Sequence, residues 1–178
     1  MEKLKPILYP FIALSALGLV LSLVVHILSL VGLPNPLGES AWLLHVGIFV
    51  VWFPAVFVSQ RLARDFPQKD LWKATLRGAP KWMQWMVYFF LGYAMLNFVV
   101  FMFLLGDGQT GGEGTPNSMF RGFSGHWMAF YSAALAILYS ALHAEERDKG
   151  RRCVNGHPVS PLAKYCEECG QAVVELPS

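Results

Sequence analysis

The stretch that decides the fold is Phe123–His143, FSGHWMAFYSAALAILYSALH. It carries no Asp, Glu, Lys or Arg, and as a helix rising 1.5 Å per residue it is long enough to cross roughly 30 Å of hydrocarbon. On that helix His126, Ala129, Ala133, Ala136, Ser140 and His143 recur at steps of three and four, so they share one face. The face is small and weakly polar. Apolar attraction between helices is absent in a bilayer, and small residues at this spacing mark where another helix packs closely. The stretch is therefore expected inside a bundle, with His126 turned toward protein.

The rest of the chain supports a membrane setting. Of 178 residues, 54% are hydrophobic, 14% aromatic and only 15% charged, and the mean hydropathy is +0.42. That is too apolar for an ordinary soluble domain. A net charge of +2 is too small to imply a nucleic-acid partner. Three further runs are long and apolar enough to span, giving predicted spans at about 7–31, 41–60, 82–105 and 123–143. The first run is too long for a secretory signal and ends in no small-residue cleavage site. GLPNPLGES joins the first two spans, and Ser40 is expected to cap the second. The third connection, from Gly106 to Gly122, is a glycine-rich loop with Asp107 and Glu113.

Charge placement predicts the orientation. The second connection holds Arg61, Arg64, Lys69, Lys73, Arg77 and Lys81, the N-terminus holds Lys3 and Lys5, and a collar of Arg147, Lys149, Arg151 and Arg152 follows the last span. The first connection has no Lys or Arg and the third has Arg121 alone. By the positive-inside rule both termini face the cytoplasm. Within the second connection, residues 65–80 read as an amphipathic connector capped by Asp70 and lying on anionic headgroups.

The three cysteines all lie beyond the collar. CVNGHPVSPLAKYCEECG places Cys153 and His157 in C-x3-H and Cys166 and Cys169 in C-x2-C, with eight residues between the two pairs. Three thiols and an imidazole on two short turns suit a tetrahedral zinc site in a reducing compartment, with Gly156 and Gly170 supplying permissive backbone. The segment resembles the short zinc-ribbon tails of many bacterial proteins, whose second knuckle reads Ala-Lys-aromatic-Cys-x-x-Cys-Gly. The likeness covers Cys153 to Gln171, and it departs where His157 replaces the usual second cysteine one position later. It implies a structural zinc, a bacterial inner-membrane setting and docking on a partner.

Three histidines, His26, His45 and His126, are expected at one depth, near the membrane boundary away from the cysteines. His143 lies about 25 Å from them along its helix. Ionisable groups in spans are costly and point to function by default. Packing and hydrogen bonding are the plain reading of the three, and Asn97 is expected to bond between helices. The fold expected is an all-α four-helix transmembrane bundle (1–146), a basic linker (147–152) and a small cytoplasmic C-terminal zinc ribbon (153–178). The function expected is a membrane anchor or complex subunit, in contact with the lipid bilayer and open to homo-oligomerisation, whose ribbon recruits a cytoplasmic protein partner. The alternative is a redox protein, or a transporter of small molecules or protons, that binds haem or copper through His26, His45 and His126. No nucleophile is paired with an acid and a base, so catalysis is not expected.

Overall fold

A computed structural model of the chain describes residues 5–105, 115 and 117–173. Lys3, residues 106–114 and 116 of the expected glycine-rich loop with Asp107 and Glu113, residues 174–178 and the side chains of Lys5, Arg147 and Lys149 lie outside the described residues, whereas 117–122 of that expected loop are helical. Five α-helices follow in order: α1 Lys5–Leu30, α2 Trp42–Ala63, α3 Leu71–Leu76, α4 Lys81–Val100 and α5 Asn117–Gly150. A π-helical turn, Phe101–Leu105, extends α4. Four of the helices, all but α3, are long and apolar enough to cross a membrane.

The fourth of these occupies the centre. In α5, 78% of the membrane-length segment is buried, against 28% in α1, 33% in α2 and 17% in α4. The other three turn large apolar side chains outward, among them Leu17, Val20, Phe49, Phe53, Phe89 and Leu96. A belt of that kind suits lipid. Small residues explain why α5 tolerates neighbours on several sides: Ala133, Ala134, Ala136, Ala141, Ser124, Ser132 and Ser140 are all buried along it.

Large side chains lock the packing where small ones leave room. Tyr131 lies between α1 and α2, its ring against Gly18, with its hydroxyl donating to the Leu44 carbonyl at 2.8 Å. A Cβ added at Gly18 would collide with that ring. Asn97 on α4 donates to the Arg121 and Gly122 carbonyls of α5 at 2.9 and 3.1 Å, the interhelical bond expected of it.

α5 also extends beyond the apolar stretch at both ends, from Asn117 to Gly150. Ala144, Glu145, Glu146 and Arg147 are good helix formers, so the helix runs on into the first part of the charged collar as far as Gly150. Three residues after it, Cys153 begins the C-terminal module, which among the described residues has no regular strand, only the bridges Arg152 to Pro158 and Tyr165 to Ala172.

The second connection forms an elbow docked against the bundle. Ala74, Thr75 and Leu76 of α3 are buried, and Thr75 Oγ1 lies 3.0 Å from Ser59 Oγ on α2. Leu71 and Trp72 remain exposed. Arg77 fastens the elbow, donating to the Leu62 and Ala74 carbonyls at 2.8 and 2.6 Å and pairing with Asp148 of α5 at 2.9 Å. The Gly78 N–H donates to Ser140 Oγ at 2.9 Å. Neither expected side-chain cap forms. Ser40 lies within a 3-10 turn, Gly38–Ala41, and α2 has no side-chain cap; Asp70 stands at the start of α3, but its carboxylate accepts from Lys73 Nζ at 3.1 Å. At the opposite end of the bundle Glu39 closes the loops together, accepting from the Thr115 N–H and hydroxyl at 2.7 and 2.8 Å.

Candidate metal centre and buried histidines

Two tight turns build the cysteine group. In the first, the Gly156 N–H donates to the Cys153 carbonyl at 2.9 Å and the Cys153 N–H to the His157 carbonyl at 3.0 Å. In the second, the Gly170 N–H donates to the Cys166 carbonyl at 2.9 Å and the Cys166 N–H to the Gln171 carbonyl at 2.8 Å. Both glycines take positive φ, +82° and +70°, a region that side chains with a Cβ rarely occupy. The turns bring one ligand atom each from Cys153, His157, Cys166 and Cys169 within 4.8 Å of one another. These four can hold a metal ion.

The detailed spacing fits a tetrahedron. Cys153 Sγ lies 3.7 Å from Cys169 Sγ, and Cys166 Sγ lies 3.7 Å from His157 Nδ1. Sulfurs bonded at about 2.3 Å to a tetrahedral ion stand about 3.8 Å apart, whereas a disulfide requires about 2.05 Å. The thiols are correspondingly free. Burial pushes the Cys153 and Cys166 thiols up, but hydrogen bonds from backbone amides, with those from neighbouring side chains, more than offset it and leave both below the usual thiol range. At Cys169 the Gln171 amide lowers the thiol, yet burial and the two neighbouring thiols leave it above that range. Three sulfurs and an imidazole nitrogen make a soft donor set.

The membrane histidines separate into two arrangements. His45 and His126 face each other across α2 and α5, ring centroids 5.4 Å apart and nearly perpendicular. Trp127 Nε1, which can only donate, approaches His45 Nδ1 at 3.0 Å, so that nitrogen is an acceptor and the neutral ring carries its proton on Nε2. His126 Nε2 reaches the same acceptor at 3.4 Å. Trp42, Phe123, Phe49 and Phe130 pack around the pair.

His26 is buried on α1 with both ring nitrogens engaged. Nδ1 meets Ser124 Oγ of α5 at 2.7 Å, and Nε2 bonds the Tyr93 hydroxyl of α4. Ser124 in turn donates to the Arg121 carbonyl at 3.3 Å. One consistent direction satisfies every member: Tyr93 O–H to Nε2, Nδ1–H to Ser124, and Ser124 O–H to the carbonyl. Ser124 and His126 are two residues apart, about 200° around the helix, and therefore address different neighbours. His143 is apart from both groups, its Nδ1 2.9 Å from the Tyr139 carbonyl.

Tyr93, Ser124 and the elbow contacts of Arg77 escape a reading of sequence. Tyr93 sits in an aromatic-rich span where nothing distinguishes it from Tyr88, and Ser124 resembles any helix-packing serine. Comparison with protein-family models, with curated proteins and with solved structures gives no match to this chain.

Proposed function

We propose that this chain is a membrane anchor or complex subunit, bacterial and with both termini cytoplasmic, whose C-terminal zinc ribbon recruits a cytoplasmic protein. The observation that carries the reading is the mounting of the Cys/His group. α5 runs from the middle of the bundle to Gly150, the cluster begins at Cys153, and Arg77 ties the elbow to the end of the same helix. A ligand set of three cysteines and one histidine favours zinc and leaves no coordination position for substrate, so the ion's role is to hold a module too small for a core of its own.

The surface beside it supports recruitment. Elbow and ribbon share the walls of a cleft of about 630 Å³, whose charged groups among the described residues are Lys69, Lys73, Arg151, Lys164 and Asp70. That balance suits an acidic segment of a partner. Val154 and Tyr165 stand exposed on the two turns, and an aromatic side chain in that position is an effective anchor. The hydrogen bonds within the histidine groups account for their geometry, so a redox or transport role through His26, His45 and His126 is the second reading.

The test uses purified protein and its deletion variant. Elemental analysis is expected to give one zinc per chain, with little zinc in Cys166→Ser and no visible haem band. Removal of residues 150–178 is expected to abolish partner capture while the bundle still folds. Unchanged capture by the deletion variant would sink the recruitment reading, and haem or copper bound with loss on His126→Ala would favour the second.

A further inference from the structure

Arg121 is a cation within the first turn and a half of α5, at the end of the bundle remote from the cysteines. Its backbone carbonyl is engaged, accepting from Asn97 and from Ser124. Its side chain is not. Nε is shielded from solvent without a hydrogen-bond partner, and among the described residues no carboxylate pairs with the guanidinium. The group lies within electrostatic reach of His26 and Tyr93, neither of which supplies a negative charge at neutral pH.

A second feature stands at the same level. Ser29 lies about one turn from His26 on α1, as Arg121 lies about one turn from Ser124 on the antiparallel α5, and in both cases the step is toward the same end. Ser29 is 92% buried, and among the described residues its hydroxyl has no partner. An uncompensated charge and an idle hydroxyl in a largely apolar setting are costly unless something brings oxygens to them. Ile27 and Leu30, beside Ser29 on α1, turn apolar side chains outward, so a ligand reaching Arg121 from this side also meets lipid-facing surface.

We infer that Arg121, with the Ser29 hydroxyl, anchors the phosphate of an anionic lipid headgroup at the end of the bundle remote from the Cys/His group. A guanidinium presents a planar fork that takes two phosphate oxygens together, and acyl chains then lie along Ile27 and Leu30. The Nε edge is closed in this arrangement, and rotation of the long, singly bonded side chain opens it. This site is independent of the ribbon and of its partner.

The experiment exposes detergent-purified full-length chain to phosphatidylglycerol, to phosphatidylcholine or to inorganic phosphate, reading bound lipid by native mass spectrometry and protection by thermal unfolding. Phosphatidylglycerol is expected to bind the wild type about tenfold more tightly than Arg121→Gln, the size of a charge-assisted bond. Lys69, Lys73, Arg151 and Lys164 are unaltered in both proteins, so their attraction cancels in the comparison. Protection of the wild type by inorganic phosphate as strong as that by the lipid, and lost in Arg121→Gln, assigns the same phosphate site to a free anion. Equal retention of phosphatidylglycerol by wild type and variant, or equal retention of the two lipids by the wild type, overturns the inference. Should Arg121→Gln not fold, Arg121→Lys keeps the charge without the fork: weaker retention supports the site, and unchanged retention overturns it.

Discussion

Gly78→Ala should loosen the elbow from the bundle, and the expected loss can be worked from the contact. A Cβ at Gly78 would collide with the Ser140 carbonyl oxygen and stand 2.6 Å from the Ala144 amide nitrogen and 2.9 Å from its Cα. All of these are backbone atoms of α5, the central helix, and none can swing away. Restoring ordinary contact of about 3.4 Å with the Ser140 carbonyl oxygen moves the elbow by more than about 1 Å, and overpacking of that kind costs about 1–3 kcal/mol. The same shift stretches the 2.9 Å bond from the Gly78 N–H to Ser140 Oγ beyond useful length, and its loss costs about 1 kcal/mol more. The entropy removed from the unfolded chain returns about 0.4–1 kcal/mol. The net is a destabilisation of about 1–3.5 kcal/mol, which for a chain of this size lowers Tm by very roughly 2–14 °C. Gly92 on α4 provides the control, because an added Cβ there meets nothing within 4 Å, and Gly92→Ala is expected to leave Tm unchanged or raise it. Thermal unfolding of both variants in one detergent, followed by tryptophan fluorescence, makes the comparison. A Gly78→Ala protein that melts with the wild type, or a Gly92→Ala protein that falls as far as Gly78→Ala, would refute the close packing of elbow on α5.

Two other outcomes follow from the clasp and the histidine pair. Hydrogen bonds from the Thr115 amide and hydroxyl hold the Glu39 carboxyl below its usual range, so the clasp is complete above the ordinary carboxylate pKa and is lost as pH falls through the lowered folded value. A carboxyl-carbon NMR titration of Glu39 should give a midpoint below that of an unstructured glutamate, and Thr115→Val should move it upward; a midpoint at or above the free value would contradict the clasp. Trp127→Phe removes the nearer of the two donors to His45 Nδ1, leaving His126 Nε2 at 3.4 Å, and should cost about 0.5–1.5 kcal/mol, the worth of one hydrogen bond. Nitrogen-15 NMR of the wild type should find His45 protonated on Nε2, and the Nδ1–H tautomer would contradict the assignment.

The sequence alone was a good guide wherever composition or local spacing carries the physics. Twenty or more uncharged residues in a row need no partner to favour a bilayer, and the structure duly has four helices of sufficient length and apolarity. The grouping of Cys153, His157, Cys166 and Cys169, which can hold a metal ion, was likewise legible, because C-x3-H and C-x2-C are short turns whose geometry is nearly fixed within each segment. Asn97, an isolated amide in a span, had to find a partner on a neighbouring helix.

What no local pattern could decide was which helix stands in the middle and what each polar group meets there. α5 is the central helix because its small residues admit neighbours on several sides, a property of how four helices share space. His26, His45 and His126 share an expected depth, but depth does not give azimuth, and the 100° step per residue sends Ser124 and His126 to different neighbours. The elbow shows the same division: its charge and amphipathicity were written in the chain, while Arg77 reaching Asp148, 71 residues away, depended on where α5 ends. Composition and short-range spacing set the solvent and the ligand set, because those energies are summed residue by residue. Long-range partners came only with the tertiary structure, because they depend on the relative rotation of helices that the sequence does not state.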